Sequence, residues 1–505
     1  MKPSQRVFFN TGAQVTRTFI NVLLSLVAVR LLLNELGDSD YGIYSLVAGV
    51  TAMLAFITNA LTSTTQRYLS YNQGNHDGYV LKTIFNNCLY LHLLVGLLLV
   101  IVLLSLTPFL FNGFLNIPAE RICTARQVYY IVVSIVFLGF INAPFRASLF
   151  AHENIIYLSI IDLFDGVFKF AIAVFIGFIH GDKLLIYAFL LLGIQVFNLL
   201  ALTIYCYFKF EECSLPTTKN LNFKFFIELI SFTGWTIYST ACIVFRQQGL
   251  AILLNLFRGP IINAAYGIGF QVSGCVGYVS QSLMNAMNPQ IMQAEGQGNR
   301  SRMLNLSMSL SKYTTILISI IGIPLIVEMP SILQWWLGSV PEYTVLFCRM
   351  TLLAAIVDTF TSGMWSVNYA IGDIKRFSLW VFTPKLLTIP FGYLLLYFSC
   401  PLIYIALLYI LFEIISMLIR IPVTKRRVSI DTRLFVKEFL KPLLLPILIS
   451  SLFSILFSCL VSFTLSFMLN IIISVIVYSI LYYSLSITKE EKNLLNEIKE
   501  KVIKK

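Results

Sequence analysis

The sequence predicts an all-α integral membrane protein of about 14 transmembrane helices, set as two pseudo-symmetric six-helix lobes around a central cavity, with two more helices at the C-terminus. Three observations carry that reading. The chain of 505 residues is 58% hydrophobic and only 12% charged, against about 25% charged residues in a soluble domain. Its apolar runs, such as VLLSLVAVRLLL and LHLLVGLLLVIVLLSL, are long and unbroken rather than alternating as barrel strands are. Polar landmarks also recur in the same order in the two halves of the chain.

The elements follow from the thickness of the bilayer. A hydrocarbon core of about 30 Å takes about 20 apolar residues per helix. Backbone groups in lipid must find partners within their own segment, so the spans are helices. The predicted spans are 9–33, 42–66, 81–111, 126–149, 155–179, 183–208, 226–257, 262–288, 311–337, 344–370, 377–398, 401–421, 440–461 and 464–486. They group as an N-lobe (1–215), a C-lobe (216–425), a final pair (426–488) and a charged cytoplasmic tail (489–505). KFEECSLPTTKN (209–220) is the most polar linker between the lobes. No connection exceeds about 20 residues, far below the 50 or more of a soluble domain. The first span contains polar residues and has no small-residue cleavage site after it, so it is expected to be retained as a helix. Nine cysteines lie scattered without metal-ligand or CxxC spacing; they read as packing residues, and no metal site is expected.

Orientation follows from Lys and Arg. With the N-terminus cytoplasmic, that side receives Lys2, Arg6, Arg67, Lys82, Arg146, Lys209, Lys219, Lys224, Arg300, Arg302, Lys375, Arg376, the cluster from Lys425 to Lys437, and the tail. The opposite side receives Arg121, Arg126, Lys183 and Arg258, beside the acidic stretch NELGDSD (34–40). Both termini are therefore placed in the cytoplasm. The net charge of +12 reads as topology and attraction to anionic headgroups, not as nucleic-acid binding.

The internal repeat rests on spacing. Thr11-Gly12 matches Thr233-Gly234 and Gly37 matches Gly259, both 222 residues apart; Tyr41-Gly42 matches Tyr266-Gly267 at 225, and Gln73-Gly74-Asn75 matches Gln297-Gly298-Asn299 at 224. An offset that spans six helices leaves both halves in the same orientation. Polar residues inside the matching spans also line up at helical spacing. Span 1 carries Asn10, Gln14, Arg17, Asn21 and Ser25; span 2 carries Thr51, Thr58, Thr62 and Gln66. Span 7 carries Thr236, Ser239 and Arg246; span 8 carries Gln271, Tyr278, Gln281, Asn285 and Asn288. Spans 3, 6, 13 and 14 are almost purely apolar. A polar stripe in hydrocarbon costs several kcal/mol, about 2.5–3.5 for an arginine at a helix centre on insertion scales. A shared hydrated cavity offsets that cost, and interhelical hydrogen bonding is the competing explanation. Arg17 and Arg246, always charged and shaped for phosphate oxygens, point to an anionic cargo.

Other charges inside spans divide by setting. Asp165 and Lys169, four residues apart, are placed as a structural pair on span 5, with Asp162 beside them. Asp358, on a face with Thr361, Ser362 and Trp365, is a candidate for a coupling proton or sodium ion, as are Asp162 and Asp165. Glu228 and Glu328 sit near span ends and are expected to reach headgroups; Glu413 has no evident partner. The four histidines, His76, His92, His152 and His180, are isolated. No catalytic constellation or nucleotide-binding loop appears, so no enzyme and no cofactor is expected.

Short motifs in order give a resemblance. The stretch RLLLNELGDSDYGIY from Arg30 to Tyr44 is similar to the first external turn of polysaccharide-unit flippases of the multidrug/oligosaccharidyl-lipid/polysaccharide (MOP) exporter superfamily. Thr65-Gln66-Arg67-Tyr68-Leu69-Ser70, Ala265-Tyr266-Gly267-Ile268, Asn288-Pro289-Gln290-Ile291, Trp336-Leu337-Gly338 and Pro341-Glu342-Tyr343 extend it over roughly residues 6–430. Asn72-Gln73 departs from the acidic-apolar pair this family often has before the glycine.

The resemblance implies a bacterial inner-membrane exporter that moves undecaprenyl-pyrophosphate-linked oligosaccharides from the cytoplasmic to the periplasmic leaflet. The family uses alternating access, for O-antigen, capsule or exopolysaccharide assembly. Spans 1, 2, 7 and 8 would line the cavity, Arg17 and Arg246 would attract the pyrophosphate, and Asn, Gln and Thr side chains would meet the sugars. Its partners would be the lipid-linked oligosaccharide, membrane lipids and polysaccharide assembly proteins. The alternative is an ion-coupled multidrug-and-toxin extruder of the same superfamily, which would favour a carboxylate-rich cavity. A membrane glycosyltransferase would need an acidic catalytic cluster or a large external loop, and the sequence has neither.

Overall fold

The computed structural model describes residues 3–52, 54–73, 78–111, 117–214, 221–428, 437, 441–460, 466–485 and 492. Among them every regular element is helical. Two glycines organise the chain. Helix α1 runs Pro3–Ala52 but passes through Gly37, at φ 77° and ψ 165°, a conformation open essentially only to glycine. The expected turn after the first span is therefore a single residue, and the second span restarts at once, continuing in α2 (Ala55–Gln73). The matching Gly259 stands at φ 86°, between α7 (Phe223–Arg258) and α8 (Pro260–Gly296). Pro260 suits a first helical position, where its missing N–H leaves no bond unmade.

The remaining helices follow the apolar runs. They are α3 (Gly78–Phe109), α4 (Ile122–Ala151) behind a short 3₁₀ turn at Ala119–Arg121, α5 (Ile155–Phe175) and α6 (Lys183–Lys209). Asp182 caps α6 by accepting from the Leu185 N–H at 3.3 Å. After α8 come α9 (Arg300–Val327), α10 (Met329–Leu337), α11 (Thr344–Thr359), α12 (Ser362–Ile371), α13 (Lys375–Leu386), α14 (Thr388–Tyr397) and α15 (Leu402–Lys425). The last pair is α16 (Lys441–Leu460) and α17 (Ser466–Leu485). Span 9 begins earlier than expected because Asn299 caps α9, accepting from the Arg302 N–H at 3.0 Å. Span 10 is broken into α11 and α12, bent by 49°.

Among the described residues, 10 helices are long and apolar enough to cross a membrane, or 11 with that bent pair counted as one span. The long helices outside this set are α2, α5 and α8. They carry the polar stripes and, on α5, three charges, so apolarity alone undercounts the predicted spans. The tail 489–505 other than residue 492, and Gly74 to Asp77 including His76, lie outside the described residues, as does the side chain of Thr51.

The chain forms two compact units: residues 8–240 with 296–298, and residues 1–7, 241–295 and 299–505. Helix α7 runs from one into the other. In the first unit α4 is central, packed by α2, α3 and α6, around Val47, Leu103, Val128, Tyr129 and Leu184. In the second, α9 packs against α11, α12, α16 and α17, and α15 against α11 and α13. Its cores gather Tyr266, Phe347 and Tyr409 and Val276, Ile318, Leu352 and Tyr478. Gly269 lets α8 meet α11: a Cβ there would stand 2.9 Å from the Phe347 backbone. Apolar side chains also face outward, as Leu97, Leu98, Ile101 and Val102 do on α3, which fits a lipid-facing surface.

One expectation is corrected here. Glu328 does not reach outward. It is buried at the α9–α10 corner, accepting from Asn470 Nδ2 at 2.5 Å and Ser331 Oγ at 3.2 Å. Asn470 in turn accepts from Ser474 and Ser454 at 2.9 and 3.2 Å. A carboxylate buried in this way binds α17 to the unit.

Candidate substrate and ion sites

Apart from the half-buried Arg121–Asp40–Asp182 group at the start of α6, each unit contains an ionic cluster built across its helices. In the first unit it joins α1, α4 and α5. Arg146 holds the Asp162 carboxylate with two bonds, Nη1–Oδ1 at 2.8 Å and Nη2–Oδ2 at 3.0 Å. Arg17 Nη1 reaches the same Oδ2, and Asn21 donates to the Asp162 carbonyl at 2.9 Å. The cluster is partly open: the side chains of Arg17, Arg146 and Asp162 are 24%, 32% and 17% exposed. Two arginines share one carboxylate. On the same helix as Asp162, Asp165 pairs with Lys169 at 2.7 Å, as its i, i+4 spacing predicts, and accepts from Asn198 at 2.8 Å.

In the second unit the cluster joins α7, α11, α13 and α15. Glu413 accepts from Arg246 Nη1 at 2.8 Å and from Lys385 Nζ at 2.5 Å. Lys385 also reaches Asp358 Oδ1 at 3.0 Å, and Arg420 Nη2 reaches the same oxygen at 2.5 Å. The Arg246 guanidinium lies 4.0 Å from the Tyr409 ring centroid. Four of the five side chains are sealed, 3–6% exposed, whereas Asp358 is 43% exposed. Three cations here face two anions, so this cluster, like the first, holds one cation in excess. Arg17 and Arg246 each keep a buried Nε–H with no hydrogen-bond partner among the described residues.

The polar stripes separate in the opposite sense. On α1, Asn10 and Gln14 are buried; Asn10 donates to the Glu153 carbonyl at 3.0 Å. With Arg17 and Asn21 bound to Asp162, much of this stripe is bonded inside its own unit. On α2, Thr58 and Thr62 are half-buried and Gln66 is buried, its Nε2 without a partner among the described residues. On α7, Ser239 is buried and bonds the Trp235 carbonyl at 3.0 Å. On α8 the stripe is open: Gln271, Tyr278 and Gln281 are exposed, and Gln281 donates to the half-buried Asn285 at 2.8 Å.

The cross-helix partners were not visible in the sequence. Arg146 and Arg67 read as loop charges, yet both lie inside helices. Lys385 and Arg420 carried no within-helix pattern, and Glu413 gains its partners only through the fold. All nine cysteines are free thiols, and the described residues contain no cluster of metal-ligand side chains.

The family of polysaccharide biosynthesis proteins matches residues 7–295, more than half of the chain. The chain belongs to that family. No curated protein matches the sequence significantly. In fold the chain is similar to a MATE transporter in its bent conformation, with TM-score 0.75 and 12% identity over 85% of this chain and 96% of that one. A MOP superfamily transporter from Pyrococcus furiosus, described as having reversed polarity of its binding pocket, gives TM-score 0.73 at 12% identity over the same shares. An outward-facing multidrug resistance MATE family transporter gives TM-score 0.72 at 12% identity, again over 85% and 96%. The chain is thus a multi-pass membrane protein of the polysaccharide biosynthesis family, and its fold is shared with MATE and MOP superfamily transporters.

Proposed function

We propose that the protein flips polyprenyl-pyrophosphate-linked oligosaccharides, of the undecaprenyl type, from the cytoplasmic to the periplasmic leaflet of a bacterial inner membrane by alternating access. The observation that carries this is the Arg17–Arg146–Asp162 site, where two guanidinium groups share a single carboxylate and remain partly exposed. Guanidinium meets phosphate oxygens through paired hydrogen bonds, so an arriving pyrophosphate competes with Asp162 for donors already in place. The competing carboxylate keeps binding reversible, which a transporter requires. The open α8 face, with Gln271, Gln281 and Asn285, supplies neutral donors and acceptors for sugar hydroxyls.

Arg246 is spent on Glu413 and Tyr409, so its part in this reading is long-range attraction rather than contact. Asp358, the exposed carboxylate of the second cluster, is the proposed site of a coupling proton or sodium ion; Asp162 and Asp165 are the other carboxylates proposed for that role. No cofactor is required. Both termini are placed in the cytoplasm on the Lys/Arg bias. A multidrug extruder would favour carboxylates for cationic drugs, whereas cations outnumber anions in both clusters. The test is Arg17→Gln combined with Arg146→Gln in the native host. Loss of surface polysaccharide with the protein still inserted supports the proposal, and normal export by the double variant overturns it.

A further inference from the structure

The first unit holds a separate recess of about 510 Å³, where the end of α2 meets the starts of α3 and α7. That size lies within the range of small-ligand sites, about 300–1,000 Å³. Its wall is aromatic, formed by Tyr68, Tyr71, Tyr79 and Phe225. Arg67 is buried under it, its guanidinium carbon 4.4 Å from the Tyr68 centroid, 5.1 Å from Tyr71 and 5.2 Å from Phe232. This cation is packed against ring faces rather than offered as a fork to phosphate.

Glu228 is the other charge in the lining, exposed at the surface. The Tyr68 hydroxyl donates to its Oε1 at 2.8 Å, which fixes the carboxylate and leaves Oε2 for another donor. Arg67 and Glu228 cancel, so the lining has no net charge, and the accessible charge is the negative one. A phosphate is disfavoured there. A sugar ring fits: its C–H face packs on the negative face of an aromatic ring, and its hydroxyls donate to a fixed carboxylate. Tyrosines that merely anchored the helices at the lipid interface would point outward. Tyr68 instead is buried, with edge contacts to Phe225 and Phe232 at 5.3 and 5.6 Å between centroids.

We infer that this recess binds a neutral sugar ring of the cargo, apart from the pyrophosphate site at Arg17 and Arg146; the inference rests on the flippase reading. In the proposed orientation the recess faces the cytoplasm, so the glycan is engaged before translocation.

The test uses the full-length protein in lipid nanodiscs and two probes: undecaprenyl pyrophosphate without sugar, and the glycosylated lipid extracted from the native host. Glu228→Gln and Tyr71→Ala are each expected to weaken binding of the glycosylated lipid about five- to ten-fold and to leave the bare lipid pyrophosphate unchanged. Tyr71→Phe, which keeps the ring, should bind the glycosylated lipid as the unaltered protein does and so separates ring stacking from misfolding. Equal losses for both probes, or no loss for either, overturn the sugar site while leaving the flippase reading standing. Failure of the unaltered protein to bind either probe overturns both.

Discussion

The ionic cluster of the first unit is open and the cluster of the second is closed. Both put an arginine of a polar helix onto a carboxylate of a later one, and both hold one cation in excess. Yet Arg17 and Arg146 keep part of their surface free, while Arg246, Lys385, Arg420 and Glu413 are sealed, with only Asp358 reaching out. The stripes invert this: that of α1 is largely bound within its unit and that of α8 is open. The two units therefore differ in what they leave accessible: the first exposes part of its charged groups, the second the neutral side chains of α8. A sealed ion pair is poor evidence for ligand contact, since breaking it leaves a charge stranded rather than a site empty.

The largest effect should come from the sealed cluster. Glu413→Ala strands Arg246 and Lys385 without their shared anion, and a broken buried pair costs about 3–5 kcal/mol. Thermal unfolding in detergent should show a drop of many degrees or no folded protein; an unchanged Tm would mean the cluster is hydrated and open. By contrast, Arg17→Gln leaves Arg146 doubly bonded to Asp162, so its cost should be near that of an exposed pair, about 1 kcal/mol or less, while export fails. A stability loss as large as that of Glu413→Ala would erase the distinction between the clusters.

The repeat itself can be tested at its glycines. Gly37→Ala and Gly259→Ala should each cost about 1–3 kcal/mol through backbone strain alone, because an added Cβ meets nothing within 4 Å at either position. Similar losses at both would mark them as equivalent hinges; a loss at one only would break the equivalence.

The smallest effect lies outside the membrane. Burial would raise the Asp182 carboxyl, but hydrogen bonds from Arg121, the Leu185 N–H and Thr124, together with the Arg121 charge, hold it below the usual carboxylate value. Its stabilisation is thus present above the unfolded-state value, about 3.9, and is lost as pH falls through the lower folded value. Asp182→Asn should lower stability slightly at neutral pH, where this contribution is present, and leave it nearly unchanged well below about pH 4, so that the acid limb of the stability profile flattens. An unaltered acid limb would show that Arg121 is held by Asp40 alone.

Much of this was legible in the sequence because it depends on local spacing. Gly37 and Gly259 stood at a constant offset before either showed a positive φ. The Asp165–Lys169 pair follows from one turn of helix. What depends on packing was not legible. The α1 stripe has the right period for a cavity face, but period does not say which neighbour a face meets, and Asn10 and Asn21 met their own unit. Glu413 and Asp358 were visible as charges, yet their partners Lys385 and Arg420 stand 28 and 62 residues away on other helices. Glu328 looked terminal because α17, which covers it, is distant in sequence.

The central claim, that the open cluster holds the anionic headgroup and the sealed one does not, is tested most directly by undecaprenyl pyrophosphate affinity in nanodiscs. Arg17→Gln with Arg146→Gln should raise Kd by at least about ten-fold, whereas Arg246→Lys should leave Kd unchanged once the folded fraction is matched. Unchanged affinity in the double variant, or a comparable loss in Arg246→Lys, would contradict it.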